Sequence, residues 1–312
     1  MKKILLLFAL CVLAFGCSDD NVQPPPSIPN TGNTGDGGSG NTGVTNPNEP
    51  IALEAGQLRV ISFNIRTGTS DKNTQNAWDN RKTASPAFIK HHKPTVFGLQ
   101  EALDFQISYL KSELPEYDCY GVGREDGKSK GEHMSIFYNK KTISLLKWGT
   151  FWLSETPDVP SIGWDAACKR TATWALMKDK KSGKKFYFVN THLDHVGWEA
   201  RKNGLALIVD RIESINPENL PMVLTGDFNM KPDRPEFEGL KKKMVDTRVV
   251  AAKTDKHSTF NGWGKDKDSD GVIDYIWYKG FSSCPVFETV TKPYMERKYI
   301  SDHYPVKATL FF

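Results

Sequence analysis

The stretch Pro221-Met222-Val223-Leu224-Thr225-Gly226-Asp227-Phe228-Asn229 constrains this chain more than any other. Met222 to Thr225 form a strand too apolar for a sheet edge, and Gly226 lets the backbone turn tightly where that strand ends. Asp227 and Asn229 are thereby delivered to one rim. A carboxylate and an amide two residues apart at a strand end can point the same way, offering a hard oxygen ligand and a neutral donor to one substrate oxygen. Taken alone, the stretch serves equally well as a strand closed by an Asx turn. What separates the two readings is how many similar strand ends the chain supplies.

Gln57 to Ile65 alternates as a buried strand, with Asn64 at its end as a turn former or a neutral ligand. Trp78-Asp79-Asn80-Arg81 opens a helix expected to run to about Lys93 with a kink at Pro86. Thr95 to Leu99 is a second buried strand that ends in Gln100-Glu101. The next helix carries Leu103, Ile107, Leu110 and Leu114 at helical spacing, so Glu101 stands where strand passes into helix and a structural glutamate has little to do. Tyr117 to Val122 and His133 to Tyr138 read as strands, separated by a polar segment, Gly123 to Gly131, expected to be a mobile loop.

Ile143 to Phe151 reads as strand, and Arg170 precedes the strand Thr173 to Lys178, where a guanidinium can grip phosphate through two hydrogen bonds or simply be a surface residue. The strand Lys184 to Asn190 runs into Asn190-Thr191-His192-Leu193-Asp194-His195, the densest concentration of proton and metal chemistry in the chain. An amphipathic helix with Leu205, Ile208, Val209, Ile212 and Ile215 follows. Asp266, Asp268 and Asp270, with Gly271 and Asp274, match the first positions of a calcium loop, but Trp277 occupies the twelfth position, where such loops place a bidentate glutamate. Ca²⁺ and a solvated acidic turn both stay open there. Val272 to Trp277 reads as a strand with Asp274 among apolar neighbours, and Asp302-His303 introduces the last strand, Val306 to Phe312.

The first fifty residues belong to no core. Met1-Lys2-Lys3 and the apolar run Ile4 to Phe15 read as a signal peptide, too short to span a bilayer. Leu13-Ala14-Phe15-Gly16-Cys17 resembles a bacterial lipoprotein cleavage box, which implies residues 1–16 as leader and Cys17 as the acylated N-terminus of an exported chain held at an outer membrane or cell surface by that anchor alone; an ordinary signal peptide cut nearby, which would free the chain from the membrane, is the alternative. The stretch 17–53 is a low-complexity tether, poor in apolar residues, that cannot repay the entropy of ordering, and the domain occupies 54–312. Removing Lys2 and Lys3 leaves 39 basic against 37 acidic residues, a balance without the basic stripe that a non-specific grip on long nucleic acid needs. Cys119, Cys168 and Cys284 show neither a disulfide framework nor zinc spacing, although one pair could bridge in an oxidising compartment.

Strands and helices alternate without a glycine-rich nucleotide fingerprint, which favours a two-sheet α/β sandwich. The polar strand ends, in order, are Asn64, Glu101, Asn190 with His192 and Asp194, Asp227 with Asn229, Asp274, and Asp302 with His303. This order, carried by SFNIR, LQE, NTHLDH, TGDFN, IDYIW and SDHYPV, resembles the endonuclease/exonuclease/phosphatase superfamily over residues 57–312, closest to its secreted bacterial and deadenylase-like branches. The resemblance implies a four-layer α/β/β/α sandwich of two stacked mixed sheets flanked by helices. It implies Mg²⁺ or Mn²⁺ held by Glu101, helped by Asn64 and Asp302. Asp274 and His303 would form a hydrogen-bonded pair, and either that pair or Asp227 would activate water. His192, Asn229 and Arg170 would stabilise charge on the phosphorus oxygens, with Asn190 and Asp194 also facing substrate.

The expected activity is hydrolysis of a phosphoester by a monomer, with a nuclease-type phosphodiesterase first and a phosphomonoesterase acting on small sugar or nucleotide phosphates second. A surface binding module without turnover is the rival from another class, disfavoured because every expected catalytic position is filled.

Overall fold

The computed structural model describes residues 53–265 and 271–312. Cys17 and the acidic run Asp266, Asp268 and Asp270 lie outside the described residues.

Strand β1 (Gln57–Asn64) leads through two helices, α1 (Trp78–Arg81) and α2 (Ala84–His92), to β2 (Val96–Gln100), and the two strands pair in parallel. Parallel neighbours need such a crossover. Helix α3 (Asp104–Glu113) follows, then β3 (Tyr117–Tyr120), β4 (Ile136–Asn139), β5 (Ile143–Trp152), β6 (Thr171–Asp179) and β7 (Lys185–His192). Helix α4 (Trp198–Ile215) carries the chain from β7 to its parallel partner β8 (Met222–Asp227). The remaining strands are β9 (Val245–Asp246), β10 (Asp274–Lys279), β11 (Ser283–Thr289) and β12 (Val306–Phe311).

Among the described residues these strands form two six-stranded sheets, ordered β11-β12-β1-β2-β4-β3 and β5-β6-β7-β8-β10-β9. Each has one parallel pair at its centre and antiparallel pairs outside it, so the two sheets repeat one topology. Three apolar clusters follow from the period-two alternation of the strands. Leu58, Val60, Phe186, Phe188, Val223 and Ile276 fill the space between the sheets. Ile61, Phe63 and Phe97 face α2 and α3, while Val189, Leu224 and Trp277 face α4. The buried residues of α4, from Ala200 and Gly204 through Leu205, Ile208, Val209 and Ile212, make one helical stripe. The result is an α/β/β/α sandwich.

Two local expectations change, and one strand, β11, had no reading in the sequence. The helix expected from Trp78 to Lys93 breaks at Lys82-Thr83, because Pro86 sits in the first turn of α2, where its ring would clash with the carbonyl four residues back. Strand β11 contains Pro285, which speaks against a strand; it is tolerated because β11 is an edge strand with an irregularity between Ser283 and Val286. The segment Gly123 to Gly131 is pinned, since Gly123 and Arg124 donate backbone N–H groups to the carbonyls of Lys128 and Glu132 at 2.9 and 3.0 Å. Cys119, Cys168 and Cys284 are free thiols.

Candidate active site

Along each central strand the face turned toward the other sheet changes from apolar to polar in one direction. On β1 it runs Leu58, Val60, Ser62, Asn64; on β7 Phe186, Phe188, Asn190, His192; on β8 Val223, Thr225, Asp227. Antiparallel β10 runs the other way, so its first residue, Asp274, joins the polar end and registers against Asp227. One end of the intersheet seam is therefore dry, and the other is built from hydrogen-bonding groups.

Asn190 marks the transition. Its Nδ2 donates to the Leu99 carbonyl at 2.7 Å, and its Oδ1 accepts from Gln100 Nε2 at 2.7 Å and Thr225 Oγ1 at 3.1 Å. This sealed clamp between the sheets corrects the expectation that Asn190 faces substrate. Gly98 makes room for it: a Cβ there would lie 2.4 Å from Asn190 Oδ1.

One atom organises the polar end. Asp227 Oδ2 accepts from Asn64 Nδ2 at 3.0 Å and lies 3.4 Å from His192 Nε2 and 3.8 Å from His303 Nε2. The other carboxylate oxygen accepts the Asn229 backbone N–H at 2.9 Å. Burial, reinforced by Asp274, pushes the Asp227 carboxyl up to about 7. His303 Nδ1 sits 2.9 Å from Asp274 Oδ2. Burial alone would lower its pKa, but the carboxylates of Asp274 and Asp227 outweigh that and hold it near 10, so the ring is an imidazolium at neutral pH. His192 is neutral, because burial and the Arg170 charge keep its pKa well below the usual imidazole range. Its Nε2 lies 3.0 Å from Asn229 Nδ2, and its Nδ1 has no partner among the described residues.

Glu101 follows β2 in a left-handed conformation, φ 61°, and Asn229 follows β8 at φ 50°. Such geometry costs a β-carbon residue about 1–3 kcal/mol and is retained where the surroundings impose it. Here it turns each side chain back over the strand end. Glu101 accepts from Asn64 Nδ2 at 3.0 Å and from the Thr67 backbone N–H at 2.9 Å. Burial opposes its ionisation, but the Asn64 hydrogen bond and the His303 charge prevail and hold its pKa below normal. Asp302 is shifted upward by burial, with Glu101 among the charges that raise it, and pairs with Arg66 at 3.2 Å.

A cavity of 640 Å³ opens over this cluster, lined by Glu101, His192, Asp227, Asn229, Asp302 and His303 from the strand ends. Arg66, Arg124, Arg170, His195, Phe260 and Trp263 form much of its wall. Arg170 Nε donates to Asp194 Oδ2 at 3.2 Å, and its Nη2 lies 2.8 Å from His195 Nδ1. Asp194 also accepts the backbone N–H groups of Ala167, Val196 and Gly197. Although burial opposes ionisation, those donors and Arg170 bring its pKa to about 2. Asp194 does not line the cavity, so it positions Arg170 and is not itself a substrate contact.

Sequence reasoning passed over four residues here. Arg66 stood within SFNIR, two residues after Asn64, and was assigned no role. Arg124 was hidden in a segment read as mobile; it pairs with Glu132 at 2.5 Å. Trp263, at φ 61°, had no signal beyond its glycine neighbours. Arg81 is fully buried and donates to the carbonyls of Ile65, Arg66 and Ile300, tying the loop after β1 to the one before β12.

Two groups of side chains can be tested as cation sites. The carboxylate oxygens of Glu101 and Asp302, beside Asp227, form a hard donor set in which carboxylates outnumber Arg66 and the His303 imidazolium, while Asn64 braces Glu101 through its Nδ2 and gives its Oδ1 to the Arg66 backbone N–H at 3.0 Å. That chemistry fits a divalent cation. Cys168, Asp194 and His195 also approach one another, but the Arg170 guanidinium bonds to both Asp194 and His195, and a cation there would meet its charge.

A sequence model described as Endonuclease/Exonuclease/phosphatase family matches residues 61–303. The crystal structure of an endonuclease/exonuclease/phosphatase from Bacteroides vulgatus is 39% identical, with a TM-score of 0.76 over 81% of this chain and 98% of that one. A mannosyl-6-phosphatase from Bacteroides thetaiotaomicron is 35% identical, with a TM-score of 0.78 over 82% of this chain and 100% of its own. The human Nocturnin catalytic domain, solved with a bound sulfate anion, is 18% identical with a TM-score of 0.64 over 83% of this chain and 96% of that one, a likeness of fold.

Proposed function

This chain belongs to the endonuclease/exonuclease/phosphatase family, and from that membership we propose that it is a Mg²⁺-dependent phosphomonoesterase acting on a small phosphorylated sugar. The observation that carries this reading is the shape of the site: a walled cavity of 640 Å³. That room suits a single sugar phosphate. The mannosyl-6-phosphatase, 35% identical over its whole length, supports the same substrate class. Phe260 and Trp263 offer apolar faces to a sugar ring, while Asp71 and Glu132, paired with Arg66 and Arg124, also line the cavity and can accept from its hydroxyls.

The chemistry follows from the protonation states. Asp227, with its pKa raised to about 7, is a carboxylate basic enough to take a proton from water near neutral pH. The His303 imidazolium, held by Asp274, donates toward the phosphoryl oxygens, Arg170 adds a guanidinium donor from the wall, and Asn229 fixes His192 through its Nδ2 at 3.0 Å. Glu101 and Asp302, with Asn64 bracing Glu101, would hold the cation, which would supply positive charge to the phosphoryl group when bound. Arg66 and Arg124 are placed to orient the substrate.

A nuclease-type phosphodiesterase is the second reading, favoured by three cavity-lining guanidinium groups, enough to engage more than one phosphate. A panel of hexose 6-phosphates, nucleoside monophosphates, a nitrophenyl phosphodiester and a single-stranded oligonucleotide separates them. The expected result is phosphate release from a hexose phosphate at least roughly 100-fold above any diester, abolished by chelator. An oligonucleotide turned over faster than every monoester overturns the phosphomonoesterase reading.

A further inference from the structure

The end of the sandwich opposite the cavity carries a concentration of charge that chain order conceals. The turn 139–142 joins β4 to β5 and the turn 179–184 joins β6 to β7; the two touch, since the Lys180 backbone N–H donates to the Thr142 carbonyl at 2.8 Å and Lys180 Nζ to the Lys140 carbonyl at 2.7 Å. Lys140 and Lys141 from the first turn thereby join Lys178, Lys180, Lys181, Lys184 and Lys185 around the second, all of them exposed. None is ion-paired to a carboxylate among the described residues, whereas Lys90, Lys202 and Lys243 elsewhere on the surface are paired with Glu113, Glu199 and Glu213. Lys178 and Lys185 are direct cross-strand partners, an arrangement of like charges that works against the sheet. Asp179, the acid within the second turn, is buried and accepts the Ser182 N–H.

The described chain begins at this same end. Leu53, Glu54 and Gly56 line one cavity with Lys141, Lys180 and Lys181. The 52 residues that precede Leu53, with Cys17 among them, therefore join the domain beside the lysines. No helix among the described residues is long and apolar enough to cross a membrane.

We propose that this lysine-rich end is a docking face for an anionic lipid surface, which turns the cavity away from the bilayer. The occupant is chosen by charge complementarity and by where the N-terminal chain attaches: a surface carrying lipid phosphates meets clustered ammonium groups that no carboxylate pairs with among the described residues. This inference does not rest on the hydrolase reading.

The test uses the full chain exported with its own leader and reconstituted in vesicles of phosphatidylcholine alone or with about one third phosphatidylglycerol, a fraction that gives an anionic surface. Lysine acetylation read by mass spectrometry reports each ammonium group. The anionic vesicles are expected to slow acetylation of Lys140, Lys141, Lys180, Lys181 and Lys184 several-fold, to leave Lys128 and Lys130 beside the cavity unchanged, and to lose this protection at about 0.5 M salt. Equal labelling in the two lipids overturns the proposal, as does equal protection of these lysines by a soluble polyphosphate. If the chain does not sediment with phosphatidylcholine, the anchor is what is missing. The face is then supported by sedimentation with anionic vesicles that is lost in K180E/K181E/K184E, and overturned if neither vesicle carries the protein down.

Discussion

Asp227 shows how one side chain acquires a role from its neighbours. Its Oδ2 is approached by an amide and two imidazoles, and its pKa of about 7 comes from burial and from Asp274. The pH dependence has a definite sign: activity rises as Asp227 loses its proton near pH 7 and falls toward pH 10 as His303 loses its own. Asp227→Asn is expected to lower kcat by roughly 10²- to 10⁴-fold with an unchanged circular dichroism spectrum. A pH–rate profile of the wild type that is flat from 6 to 10 would remove Asp227 and His303 from these roles. The residue types were legible in the sequence; their protonation states were not, because they depend on burial and on the Asp274–His303 and Asp227–Asn64 contacts across the fold.

At the scale of elements, the intersheet seam explains why the strand ends are exact enough to build a site. Asn190 ties β7 to the backbone of β2 and to Thr225 on β8, and the close approach requires a glycine at position 98. Gly98→Ala is expected to cost about 1–3 kcal/mol, the usual penalty for overpacking, and to lower the urea midpoint. Were the midpoint unchanged, the clamp would be looser than the geometry indicates. Asn190 drew attention in the sequence for the same reason as Asp227, its place at a strand end. What separates them is depth: two residues earlier on the inward face is still inside the seam, while the end of the strand opens on the cavity. Arg124 illustrates the opposite miss, because a polar glycine-flanked segment reads as mobile until the backbone bonds that pin it to Glu132 are seen.

Among the described residues the chemistry sits at one end and a cluster of lysines without carboxylate partners at the other, and the described chain begins at the lysine end. Our proposal of a lipid anchor at Cys17 makes a direct prediction: Cys17→Ser releases the protein from the membrane fraction, and retention after salt washing would refute acylation. Sequence by itself determined the alternation of apolar strands with helices and the order of the polar strand ends, because periodicity and residue type are local properties of the chain. It also determined the family those strand ends resemble. The convergence of Glu101, His192, Asp227, Asp302 and His303 on one cavity was decided only by the tertiary structure, as were the withdrawal of Asn190 and Asp194 from it and the joining of two distant lysine turns into one face. Those outcomes rest on the stacking of two sheets, which sets the distance between residues more than a hundred positions apart and the water that each can reach.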